Sequence, residues 1–126
     1  MAEGKGAYVV ALTAAAGNGG MLSLANPEGC DLIVTRLVVR TSEAAAGATS
    51  IDAGIAAGAA VSSDNLIDGQ AINALGIVNN IDVKADNAKC AQLWGKDQFL
   101  TITKSVGGAG SEVGLKASAY IEYIRV

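Results

Sequence analysis

Cys30 and Cys90 are the two thiols of a chain that contains no histidine. Without an imidazole, Ser–His and Cys–His nucleophile pairs are excluded. Lys89 adjoins Cys90, but neighbours along a strand point to opposite faces, and free cysteine is usually a packed residue. The expectation is therefore a packed thiol and no catalytic residue. The two cysteines have no CxxC spacing, so they form no zinc pattern. One disulfide is allowed by arithmetic. Two separate buried or half-buried thiols are expected instead, since nothing else points to export from a reducing cytoplasm.

The carboxylates fall in two loop-like stretches, Asp64 and Asp68 in SSDNLIDGQ and Asp82 and Asp86 in NNIDVKADN. Calcium wants six to eight oxygens, and this spacing matches no EF-hand loop. Asx residues form turns for local reasons, so these are read as turn formers, with no metal and no cofactor expected. A glycosidase pair would need an aromatic-lined cleft, and the aromatics are Tyr8, Trp94, Phe99, Tyr120 and Tyr123 alone. The glycine run GGAGS at 107–111 lacks the Lys-Ser/Thr of a phosphate loop. Trp94, flanked by glycine and charge in AQLWGKDQF, is a candidate interface anchor. Its alternative role is to plug one end of a core.

Composition explains why chemistry is so sparse. The 126 residues include 24 Ala and 16 Gly, and 31 Val, Ile and Leu must supply most of the core. That is enough for one two-layer domain, with association adding stability. The formal charge is −3 and the basic residues are scattered, so no phosphate-backbone-binding face is expected and nucleic acid is excluded as a partner. No apolar run reaches the roughly 18 residues of a spanning helix, and a membrane is excluded likewise. The N-terminal run after Lys5 is read as a strand and not a secretion signal.

Strand-like runs recur at 7–13, 21–25, 30–40, 49–56, 81–85, 97–104 and 113–126, separated by turn signals such as GNGG and NPEG. In CDLIVTRLVVR, strict alternation puts Asp31, Ile33, Thr35, Leu37 and Val39 on one face and Leu32, Val34, Arg36, Val38 and Arg40 on the other. Ile51, Ala53 and Ile55 share a face in the next run. Residues 57–80 read as mostly loop with short strand pieces; a short helical turn around Gln70 to Leu75, opened by Asp68, is the alternative, with Gly69 and Gly76 bracketing it. The last two runs, joined by SVGGAGSE, read as an antiparallel hairpin. In the final run Leu115, Ala117, Ala119, Ile121 and Tyr123 alternate cleanly against polar residues. About eight short strands and little helix predict an all-β, single-domain β-sandwich, jelly-roll-like, or another Greek-key sandwich. Residues 1–25 form an arm and first strands that either pack on their own sheet or swap onto a neighbouring subunit, and 26–126 form the sandwich.

The order VTRLVVRTSEAAAGATSIDAGIAA, then VSSDNLIDGQ, then a closing β-pair resembles head decoration (cement) proteins of tailed bacteriophages and related small β-sandwich virion proteins. The resemblance covers roughly residues 30–126. It implies a non-enzymatic structural protein made in the host cytoplasm and bound to the capsid exterior. Its implied partners are the major capsid protein and its own copies, commonly as a homotrimer. Fibre, tail or neck sandwiches with receptor- or carbohydrate-binding roles are the alternative. Alanine and glycine let backbones approach closely and lose little side-chain entropy on ordering. The tip Ala44, Ala45, Ala46, Gly47 and Ala48 is therefore the expected contact surface, together with Trp94.

Overall fold

The computed structural model describes residues 4–81 and 90–126, which contain nine strands and no helix. The strands are β1 (Lys5–Ala11), β2 (Leu22–Ala25), β3 (Leu32–Glu43), β4 (Ser50–Ala56), β5 (Ile67–Ala71), β6 (Gly76–Asn79), β7 (Gln92–Trp94), β8 (Phe99–Val106) and β9 (Lys116–Arg125). One sheet runs β1-β9-β3-β6, with β7 also pairing β3, and the other runs β2-β8-β4-β5. Every pairing is antiparallel. The two sheets form the expected all-β sandwich.

β9 behaves as its period-two pattern dictates. Ala117, Ala119, Ile121 and Tyr123 are buried, while Lys116, Tyr120, Glu122 and Ile124 face outward. β3 departs from strict alternation. Its buried residues are Leu32 and Val34, then Leu37, Val39 and Thr41, because the register with β9 shifts between Val34 and Arg36. A bulge inserts one residue and turns the following side chains to the opposite face. Thr35 is that residue, and its hydroxyl donates to the Glu122 carbonyl at 3.2 Å. The two apolar faces read from the sequence are one inward row, broken once.

The core lies between Leu32, Val34, Leu37, Val39, Ala119 and Ile121 of one sheet and Ile51, Ala53, Ile55, Ile67, Leu100 and Ile102 of the other. Each fully buried branched side chain contributes at most roughly 1.5–3 kcal/mol. Ala53, Ala117 and Ala119 are part of the same buried cluster.

One expectation is corrected. The runs joined by SVGGAGSE are not a hairpin: β8 pairs β2 and β4, whereas β9 pairs β1 and β3. The glycines carry the chain across from one sheet to the other, with Gly107 and Gly110 at positive φ. Residues 57–80 are loop with short strand pieces, and the alternative of a helical turn at 70–75 is not taken: β5 extends through Ala71 and residues 73–75 bend. Gln70 is instead buried, its side-chain amide donating to the Asn79 carbonyl at 3.0 Å. Within this chain, β1 and β2 are built into opposite sheets. The strand expected at 81–85, with Asp82, Asp86 and Lys89, lies outside the described residues apart from Ile81.

Candidate interaction surface

The AAAGA tip leaves β3 at one end of the sandwich and is fastened there by its backbone. Ala45 N–H donates to Asn73 O at 2.9 Å, Ala46 N–H to Val113 O at 2.8 Å and Gly47 N–H to Ser111 O at 3.0 Å. The next loop lies close against its backbone: a Cβ on Gly107 would come within 2.7 Å of the Ala48 carbonyl oxygen. Ala46, Gly47, Ala48 and residues 107–111 line a shallow depression of about 410 Å³. Ala44, Ala46 and Ala48 are exposed, and Ala45 and Gly47 half-buried.

Beneath this apolar surface lies a polar fixing point. Lys104 follows Leu100 and Ile102 in the inward row of β8, so its ammonium reaches the end of the core. It donates to Glu112 Oε1 at 2.7 Å, to Gly108 O at 2.9 Å and to Ser111 Oγ at 3.3 Å. Both partners of the pair have about nine-tenths of their side chains covered. The Lys104 hydrogen bond holds the Glu112 carboxyl below its ordinary range. Thr49 Oγ1 donates to Ser111 Oγ at 3.2 Å and closes the network. Reading for catalysis missed this pair, although a lysine in phase with Leu100 and Ile102 was its signal.

Trp94 sits at the opposite end and is fully buried. Its indole N–H donates to the Gln98 carbonyl at 3.0 Å, and Asn26 Nδ2 bonds the carbonyls of Trp94 and Gly95 at 3.1 and 3.2 Å. The flanking glycine and charges belong to a tight turn in which Gln98 Oε1 accepts from Gly95 N–H at 2.6 Å. Trp94 thus plugs the core, and it offers no ring to a partner in this structure.

The acidic stretch SSDNLIDG works as internal packing. Asn65 Oδ1 accepts from Ile55 N–H at 2.8 Å, so the side chain imitates a neighbouring strand along β4. Asp52 Oδ1 accepts from Gly69 N–H at 2.9 Å; burial raises the Asp52 carboxyl, with Asp68 and Asp64 adding to the effect. Among the described residues no three acidic, cysteine or histidine groups come together as a metal site. Cys30 and Cys90 are both free thiols, Cys30 half-buried and Cys90 exposed, so Cys90 is not the packed thiol expected.

The outer face of the five-stranded sheet is the second surface of note. Val9, Tyr120 and Val38 form one cross-strand row, and Ile33, Ile124 and Leu93 another. Between them runs Ala7, Glu122 and Arg36, beside a depression of about 590 Å³ that Lys5 and Thr35 also line. No protein-family model matches the chain, and neither curated proteins nor solved structures give a significant match. The described surfaces present fixed backbone, small apolar side chains and a few charges.

Proposed function

We propose that this protein is a non-enzymatic virion component that lies on the outside of a phage capsid and reinforces it. The single observation that supports this most is the Ala44–Ala48 tip, an exposed apolar surface whose backbone is already fixed by Asn73, Ser111 and Val113. A surface ordered in advance loses little entropy when it meets a partner. Repetition over a shell multiplies weak contacts, so no large anchor residue is required.

The jelly-roll assignment belongs to this reading. It is supported by two four-stranded paths, β1-β9-β3-β6 and β2-β8-β4-β5, and by a chain that passes repeatedly from one sheet to the other. Double-sheet jelly rolls include viral capsid domains, although fold by itself does not dictate function. The alternative of a glycan-reading fibre tip needs exposed rings; Trp94 is inside the core, which leaves Tyr8 and Tyr120 as the exposed rings among the described residues.

Mixing the purified protein with empty capsids that lack it, then sedimenting, tests the proposal. Saturable co-sedimentation and greater resistance of the shell to heat are expected. Protein left in the supernatant at every ratio overturns it.

A further inference from the structure

A sheet edge is a row of unpaired peptide groups, and folds normally shield it. Here β2 is overlaid by the chain around Ala59, whose carbonyl accepts from Ser23 Oγ at 2.8 Å. The edges at β5 and β6 are tied together by Gln70 Nε2 donating to Asn79 O at 3.0 Å. β7 is three residues long. β1 is the exception: seven residues, KGAYVVA, without proline and with one charge.

Its hydrogen-bond phase is fixed by both ends. Arg125 N–H donates to Gly4 O at 2.6 Å and Leu12 N–H to Ala117 O at 2.9 Å. With the observed register, Gly6, Tyr8 and Val10 bond to β9, and the peptide groups of Lys5, Ala7 and Val9 point away from it. Arg125 Nη1 donates to the Lys5 carbonyl at 2.7 Å. The N–H and C=O of Ala7 and Val9 have no partner among the described residues. On the outer face, the Lys5 ammonium and Glu122 carboxylate likewise form no ion pair among the described residues, although both border the same depression.

We infer that the β1 edge is a self-association surface, occupied by β1 of a second copy in antiparallel register with Ala7 facing Ala7. Lys5 then exchanges peptide hydrogen bonds with Val9 of the second copy, and Val9 with its Lys5. The choice of occupant follows from charge. A dyad through Ala7, perpendicular to the sheet, keeps the outer faces on one side and places Lys5 about 12 Å from Glu122 of the second copy, Cα to Cα. The extended side chains span that distance, passing between Ala7 and Val9 of the second copy on the shared outer face. One cation and one anion per copy therefore satisfy each other twice, as a closed two-fold interface requires. Gly6, Ala7 and Ala11 leave room for the strands to meet. The pairing is two-fold, in place of the trimer that the resemblance implies. It needs no capsid, so it stands or falls independently of the proposed function.

Sedimentation equilibrium of the purified chain tests it, alongside Ala7→Pro, Lys5→Glu, Glu122→Lys and the Lys5→Glu/Glu122→Lys double variant. Proline at position 7 removes one outward N–H and leaves the bonds from Gly6, Tyr8 and Val10 to β9. The wild type is expected as a dimer. Ala7→Pro and each single charge reversal should weaken dimerisation by about tenfold or more, and the double reversal should restore it. Amide exchange at Ala7 and Val9 should slow as the dimer forms. Circular dichroism checks folding; if Ala7→Pro unfolds, the charge series and the exchange data decide. A monomeric wild type, a trimer mass, or a dimer indifferent to all these changes overturns the inference. A dimer that Ala7→Pro abolishes but the charge reversals leave unchanged overturns the register.

Discussion

The hydroxyl of Tyr123 donates a 2.6 Å hydrogen bond to Glu28 Oε2, across 95 residues of sequence. Arg125 completes the arrangement, with Nη2 on the same oxygen at 2.9 Å and Nε on Oε1 at 3.2 Å. The Asn26 side chain shapes the turn that presents Glu28, its Oδ1 accepting from Glu28 and Gly29 N–H at 2.9 and 3.1 Å. Gly6 lies directly over the Tyr123 ring, where a Cβ would sit 2.5 Å from it. One side-chain cluster thus joins the β2–β3 turn, β1 and the last strand at the end of the sandwich opposite the tip.

Burial, and then the Glu28 hydrogen bond, push the Tyr123 hydroxyl up to about 12. An acid whose folded value is raised contributes stability that is complete below its unfolded value and lost as pH rises through the folded one. Melting temperature is therefore expected to fall between pH values of about 10 and 12. Tyr123→Phe should cost about 1 kcal/mol at neutral pH and abolish this component of the alkaline loss. Urea titrations of both proteins at neutral and alkaline pH check it.

The acid side has the opposite sign. Hydrogen bonds from Arg125 and Tyr123 lower Glu28, and the Lys104 hydrogen bond lowers Glu112, each from an ordinary value of 4.5. Their contributions are present above that value and are lost as pH falls through the lower folded values. Amide exchange at residues 108–113 should accelerate in that window as Glu112 is protonated and Lys104 loses its partner. In Glu112→Gln the same amides should exchange faster at neutral pH and no longer respond to acid. Unchanged protection at low pH would remove Lys104 and Glu112 as the fixing point of the tip.

The phrase TSIDAGIA followed by SSDNLIDG reads in sequence as a strand and a turn, and both are present. What it conceals is their contact. A Cβ on Gly54 would lie 2.5 Å from Asn65 Oδ1 and Ser63 Oγ and 2.8 Å from Asn65 N. Gly54→Ala should therefore cost about 1–3 kcal/mol, because backbone as well as side chain must move. Chemical denaturation measures this directly, and a loss below about 0.5 kcal/mol would show that Asn65 is not held along β4.

Local pattern made β1 to β4, β8, β9 and the inward row of β9 legible, since alternation is a property of neighbours in sequence, while the three-residue β7 is too short to show one. Pairing was not legible. SVGGAGSE has the composition of a hairpin turn, yet its glycines serve a crossover between sheets, because both flanking strands find their partners elsewhere in the sequence, β8 on β4 and β9 on β3. The bulge at Thr35 was equally hidden, because a one-residue insertion in an apolar β-branched run leaves the composition unchanged. Trp94 stayed two-sided in the sequence for a related reason: glycine and charge beside a tryptophan describe the turn that buries it as well as they describe an edge. Asp52 was passed over because IDAG reads as strand, and its carboxylate matters only once Gly69 lies beside it.

The alanine tip gives the sharpest separation of folding from function. The Ala46 side chain is exposed, while its backbone N–H is committed to Val113. A larger charged side chain therefore has space in the free protein, and Ala46→Glu should change unfolding free energy by less than about 0.5 kcal/mol. Against a capsid the same carboxylate would be buried without a partner, at a cost of several kcal/mol. Ala46→Glu is thus expected to fold and melt like the wild type and to lose co-sedimentation with empty capsids. Ala46→Ser, nearly equal in size, should retain it. Equal capsid binding by all three proteins would place the attachment surface elsewhere on the sandwich.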